Sequence, residues 1–261
     1  MRPRARYNQR CMGKLIAVAG KGGTGKTTVA ALTVRHLIET NRTPVLAVDA
    51  DPNYTLGDAL GIRVEKTIGK LREEFFGERA QIPPGMTKEA VLERNMHAAL
   101  EESKGVDLLV MGRQEGPGCY CYLNNILRRF LETLSSDYRF VVVDNEAGME
   151  HLSRRNTRKI DLLLVVSDHS VKAARAVGRI AELTDELKLD VAKKYLILNR
   201  APSDVAPDVR AEVERAGVPL LLTLPDDAVI SRADAAGAPL LSTMDAAPAA
   251  RLLGRALDSV L

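Results

Sequence analysis

Seven short apolar runs recur along the chain: KLIAVAG (14–20), PVLAVD (44–49), VDLLVMG (106–112), RFVVVD (139–144), DLLLVVS (161–167), KYLILN (194–199) and VPLLLTLP (218–225). Each is unbroken and rich in Val, Ile and Leu, without the alternation of a half-exposed strand. That pattern predicts strands covered on both faces, as in a parallel sheet. Between them, apolar positions recur at helical spacing over 26–40, 122–135, 171–188, 206–216 and 245–260. Strand–helix alternation along the whole length predicts a doubly wound α/β fold, a mostly parallel sheet with helices on both faces. No repeat, low-complexity tract or linker interrupts it, so residues 13–261 read as one domain. Residues 1–12 read as a disordered N-terminal extension, with Met12 as an alternative start.

Residues 62–105 break the rhythm. They have helical periodicity, are interrupted at Pro83-Pro84-Gly85, and offer no strand candidate. They read as a helical insertion packed on the sheet, with a lid or partner-docking surface as the alternative.

Composition narrows the classes. A net charge of +3 is too small to argue for nucleic acid. No run approaches the roughly 18 apolar residues of a membrane span, and the arginine-containing start has no apolar core of signal-peptide length. The expectation is a cytoplasmic protein that binds neither membrane nor nucleic acid. Of three cysteines, Cys119 and Cys121 stand one residue apart in GPGCYCY.

The strongest chemical signal is GKGGTGKTT (20–28), between the first strand and the first helix. It matches G-x-x-x-x-G-K-[ST] through Gly20, Gly25, Lys26 and Thr27, the pattern of a P-loop nucleoside triphosphatase. Glycines there let backbone N–H groups, including those of Gly22, Gly23, Thr24 and Thr28, curl around phosphate oxygens, and the helix N-terminus adds positive charge. Lys26 neutralises the β- and γ-phosphates, and the Thr27 hydroxyl ligates Mg²⁺. Two acidic strand ends complete the site. VDADPN places Asp49 and Asp51 past the second strand, at the sheet end where open α/β folds bind ligands. VVVD places Asp144 at the end of another strand, the position that holds Mg²⁺ in this class.

Lys21 makes the loop resemble the deviant Walker A motif of the MinD/ParA/nitrogenase-iron-protein class of ATPases. That resemblance implies a nucleotide-dependent homodimer in which Lys21 reaches across the interface to phosphates on the partner, as an arginine finger does. It also implies that Asp51 orients the attacking water, that Asp49 supports the Mg²⁺ shell with Asp144, and that Gly148 is the switch II glycine. No N-K-x-D motif for guanine occurs. Instead LILNRAP and LPDD resemble the adenine-contacting segments of MinD-like ATPases, with Asn199 and Arg200 beside the base and Pro225-Asp226 lining its pocket. The implied reaction is Mg²⁺-dependent hydrolysis of ATP to ADP and phosphate.

In an extended segment Cys119 and Cys121 share a face. A disulfide between them is strained, and burial as two small hydrophobes is the ordinary alternative to metal binding. One pair supplies two thiolates where soft metals typically take four, so two copies meeting along the Lys21 face would assemble one Cys₄ site. Four thiolates suit Zn²⁺ in tetrahedral geometry, or Ni²⁺ or Cu²⁺ in a flattened one. KGGTGKTT, DADPN, GPGCYCYLNN and VVVDNEAGMEHLSRR together resemble the CooC-type nickel-insertion ATPases. This implies Ni²⁺ carried at the Cys119/Cys121 interface, with Zn²⁺ able to occupy it, and apo carbon monoxide dehydrogenase or its acetyl-CoA synthase partner as client.

Three rivals remain. An iron–sulfur ATPase like the nitrogenase iron protein has its second cluster ligand in a later segment, and no cysteine follows Cys121, although four thiolates from two C-x-C pairs could still hold a cluster. A ParA- or MinD-like spatial organiser could use the amphipathic end PAARLLGRALDSVL, although core packing is the better reading of that helix. A nickel GTPase conflicts with Lys21 and with the missing guanine motif. His36, His97, His151 and His169 have no ligand-like spacing; His151 lies near switch II.

Overall fold

The computed structural model describes residues 13–76, 85–112, 134–145, 159–243 and 247–261. Eight strands form one sheet: β1 (Lys14–Gly20), β2 (Val45–Asp49), β3 (Leu100–Glu102), β4 (Val106–Val110), β5 (Phe140–Asp144), β6 (Leu162–Ser167), β7 (Lys194–Leu198) and β8 (Leu220–Thr223). Their spatial order is β3-β4-β2-β5-β1-β6-β7-β8. All pairings are parallel except β3 with β4. All seven apolar runs are strands. The doubly wound, mostly parallel fold predicted from them is the fold observed.

One expectation is corrected. The 62–105 region does contain a strand, because β3 runs antiparallel along the edge of β4. Leu-Glu-Glu, two half-exposed residues and one exposed, is too short and too polar to register as an apolar run. The region also contributes α3 (Ile68–Phe76) and α4 (Lys88–His97). Ile68, Leu71 and Met96 are buried on one face of the sheet.

The pleat explains the two layers. Along β1, Leu15, Ala17 and Ala19 face one side, while Ile16 and Val18 face the other. The first side packs against α3, α4 and α5 (Val171–Glu186), the last through Val177 and Ile180. The second packs against α1 (Lys26–Glu39), α2 (Leu56–Leu60), α8 (Leu240–Thr243) and α9 (Pro248–Val260). Helices α6 (Pro207–Arg215) and α7 (Ala228–Ala235) complete the described set. In α9, Leu253, Leu257 and Val260 are buried in the same cluster as α1, so its apolar face lies in the core. Among the described residues no helix is long and apolar enough to cross a membrane.

Candidate nucleotide site

Parallel strands bring their carboxyl ends to one edge of the sheet, and five of them converge here. β1 ends at Gly20 and turns through residues 21–25 into α1. Gly20 fits because a Cβ there would lie 2.2 Å from the Val166 carbonyl oxygen on β6. Gly25 caps α1 at φ 91°, with no side chain satisfying the first turn, so the N-terminal N–H groups of α1 remain available to an anion. Within the loop, the Lys21 carbonyl accepts the Thr24 hydroxyl at 2.9 Å and the Lys26 ammonium at 3.4 Å. Lys26 is 7 % exposed and Thr24 fully buried, whereas Lys21, Gly22 and Gly23 are exposed.

The acidic end of the site is built by register. Asp49 and Asp144 are Cα partners across β2 and β5, and both are buried. The Thr27 hydroxyl donates to Asp144 Oδ2 at 2.6 Å and lies 3.4 Å from the Thr55 hydroxyl. Asp144 Oδ1 is buried and has no hydrogen-bond partner among the described residues. Burial pushes the Asp144 carboxyl up to about 7 against the pull of the Thr27 bond, with the neighbouring Asp49 charge adding to the rise. Burial likewise raises Asp49 to about 6, although the Leu56 and Asp51 N–H groups both donate to it.

The bare buried oxygen of Asp144 and the neighbouring Thr27 hydroxyl make a hard, all-oxygen donor set. Mg²⁺ fits such a set, because it binds through one or two protein oxygens and completes its shell with water and phosphate. Asp51 is half-buried past β2, its Oδ1 accepting the Asn53 N–H at 2.9 Å.

The base side differs from the expectation in detail. Asn199, after β7, is 8 % exposed and donates Nδ2 to the Thr24 carbonyl at 2.9 Å. A Cβ at position 25 would lie 2.2 Å from that nitrogen, so Gly25 and Asn199 interlock. Arg200 adopts φ 51° and donates its guanidinium to the Gly23 carbonyl. Both residues brace the phosphate loop, and both also line a cleft with Thr28, Pro225, Asp226 and Ile230. The amide nitrogen of Asn199 is thus engaged with the loop.

Two site residues escaped the sequence reading. Thr55, at the N-cap of α2, stands against Thr27; Asp227 is buried and caps two helices. Its Oδ1 accepts Val229 N–H at 2.9 Å, and its Oδ2 accepts Ala249 N–H, at the start of α9, also at 2.9 Å. The signal for Asp227 was present, since an aspartate directly before AVI is an N-cap pattern. Cys119, Cys121, Gly148 and His151 lie outside the described residues. His36 pairs with Asp258 at 2.9 Å, between α1 and α9 and away from this edge.

Comparison with known proteins follows this geometry. Residues 15–240 match the family described as the CobQ/CobB/MinD/ParA nucleotide binding domain. An uncharacterized ATP-binding protein of Methanocaldococcus jannaschii is 42 % identical over 228 residues, covering 87 % of this chain and 90 % of that protein. The carbon monoxide dehydrogenase accessory protein CooC of Rhodospirillum rubrum is 30 % identical over 258 residues, covering 94 % and 95 %. Among solved structures, a ParA family ATPase from Chlorobium tepidum superimposes with a TM-score of 0.70 at 21 % identity, covering 94 % of this chain and 98 % of that one. The septum site-determining protein MinD of Pyrococcus horikoshii, complexed with Mg-ADP, gives 0.65 at 22 % identity, covering 95 % and 96 %. This chain, with its phosphate loop, paired strand-end aspartates and eight-stranded sheet, belongs to the CobQ/CobB/MinD/ParA family of nucleotide-binding ATPases.

Proposed function

We propose that the protein is an ATP-hydrolysing metallochaperone. In this reading ATP closes a homodimer that holds one Ni²⁺ between two Cys119/Cys121 pairs, and hydrolysis releases the metal to an apo nickel enzyme of the carbon monoxide dehydrogenase/acetyl-CoA synthase kind. The observation that carries the reading is positional. β4 leaves the sheet beside the acidic edge, where the Met111 N–H donates to the Asp49 carbonyl at 2.8 Å. In sequence Cys119 follows eight positions after Met111, so the thiol pair comes soon after the strand that ends at this edge. The similarity to the CooC protein over most of both chains points the same way.

The chain's own groups have distinct tasks. Lys26 and the loop N–H groups bind the β- and γ-phosphates, and Asn199, Arg200, Pro225 and Asp226 flank the base. Thr27 and Asp144 would hold Mg²⁺, which when bound neutralises charge on the phosphates. Asp51 holds a water in line with the γ-phosphorus; the water oxygen bonds to phosphorus as the bridge to the β-phosphate breaks, giving ADP and phosphate. Lys21, exposed at the rim, reaches the phosphates bound to the second copy. A membrane-organising role is less well supported, because Leu253, Leu257 and Val260 of α9 are already buried in the same cluster as α1.

The test is to titrate Ni²⁺ into reduced, metal-free protein with ATP, with ADP and without nucleotide, following thiolate-to-nickel absorbance and molecular mass together. One Ni²⁺ per dimer with ATP, lost in Cys119→Ala/Cys121→Ala, is the expected result. Nickel uptake unchanged by the double substitution would overturn the reading.

A further inference from the structure

The loop that carries Asp51 is held from beneath by a single carboxylate. Asp49 is completely buried; its Oδ1 accepts the Asp51 N–H at 3.0 Å and its Oδ2 accepts the Leu56 N–H at 2.8 Å. Those two amides mark the two ends of the connection from β2 to α2. Between them, Tyr54 N–H donates to the Asp51 carbonyl at 3.0 Å and Tyr54 sits at φ 38°. A non-glycine residue in that region is strained and persists only where its surroundings enforce it. Proline at 52 stiffens the same turn but contributes no N–H. The group that fixes both ends of the strained turn is the Asp49 side chain.

Asp144, its register partner, is arranged differently. It spends one oxygen on Thr27 and keeps the other bare. The two aspartates therefore divide the work that sequence alone would assign to both. We propose that Asp49 is a positioning residue: its carboxylate brackets the loop so that Asp51 faces the attacking water, and it does not ligate the divalent cation. This rests on the reading that the protein hydrolyses ATP with Asp51 orienting the water.

The experiment uses the full chain and two independent readouts. In Asp49→Asn one oxygen becomes an amide that must face a backbone N–H, releasing one end of the loop. In Asp49→Glu the charge stays but the oxygens move. Both variants are expected to lose about 10- to 100-fold in kcat, since small displacements of a positioning group act on that scale. KM for ATP and the Mg²⁺ concentration for half-maximal rate should stay within about threefold of the parent. In the parent protein, the amides of Asp51 and Leu56 should exchange with deuterium slowly both without ligand and with Mg·ADP bound.

A tenfold or greater rise in the Mg²⁺ requirement, full activity in Asp49→Glu, or faster exchange at Leu56 once Mg·ADP binds would each overturn the proposal. Should neither variant fold, the exchange measurement on the parent protein decides. Absence of ATP hydrolysis by the parent protein would sink the functional reading instead, while exchange would still judge the bracket.

Discussion

The phosphate side and the base side of the nucleotide cleft each contain a buried aspartate, and the fold treats them in opposite ways. Asp227, on the base side, has both oxygens occupied by the N–H groups that begin α7 and α9. Asp144, on the phosphate side, has one oxygen on Thr27 and one with no partner among the described residues. A buried carboxylate whose oxygens are filled by helix N-termini is a brace, stabilised by hydrogen bonds and by the helix dipoles. One left half-satisfied, its charge opposed by burial, keeps an oxygen free to take a cation, the role proposed for Asp144. The comparison separates residues that make the cleft from residues that work in it.

Asp144→Asn should produce the largest effect and break the pairing of function with stability. ATP hydrolysis is expected to fall by about 100-fold or more, because the carboxylate that would hold Mg²⁺ is gone. The metal-free variant should nonetheless be more stable than the parent at pH 8, on the order of 2 kcal/mol, since a neutral amide replaces a destabilised buried charge. Activity assays with urea unfolding check both halves.

Asp227→Asn is the converse. It leaves one of two buried N–H groups facing another donor, and should cost about 1–3 kcal/mol of stability. ATP affinity should weaken as Pro225 and Asp226 shift, while kcat at saturating ATP changes by less than about threefold. A large kcat loss with unchanged stability would mean that Asp227 acts in the chemistry.

pH gives a smaller, graded version of the same contrast. The folded-state values of Asp49 and Asp144 are raised, to about 6 and about 7, above the ordinary 3.8. The folded form therefore binds more protons than the unfolded chain between these values. The stability this provides is complete below about pH 4 and is lost as pH rises through 6 and 7. The melting temperature of Asp144→Asn should match that of the metal-free parent below about pH 4 and exceed it increasingly as pH rises to 8, by about 2–4 °C for each kcal/mol. A constant difference across that range would contradict the assignment.

Much of this was legible from the sequence, and the remainder was hidden for identifiable reasons. The seven buried strands announce themselves because strands covered on both faces need no polar positions. The edge strand Leu100–Glu102 does not, since among the described residues one side of it has no neighbouring strand and its residues need not be apolar. Lys26, Thr27, Asp49, Asp51 and Asp144 could be read as candidates because each sits at a fixed offset from a strand end. Their division of labour was hidden, because the pairing of Asp49 with Asp144 is a property of register between strands far apart in sequence. The bond from Asn199 to Thr24 likewise spans 175 positions, so the residue read as a base contact also locks the phosphate loop.

The most direct measurement is calorimetric binding of ADP to the parent protein and to Asp144→Asn, each with and without Mg²⁺. The account predicts that Mg²⁺ strengthens ADP binding to the parent by at least about tenfold and leaves the variant nearly unchanged. Equal enhancement by Mg²⁺ in both proteins would show that the bare oxygen of Asp144 is not where the cation sits, and would contradict the account.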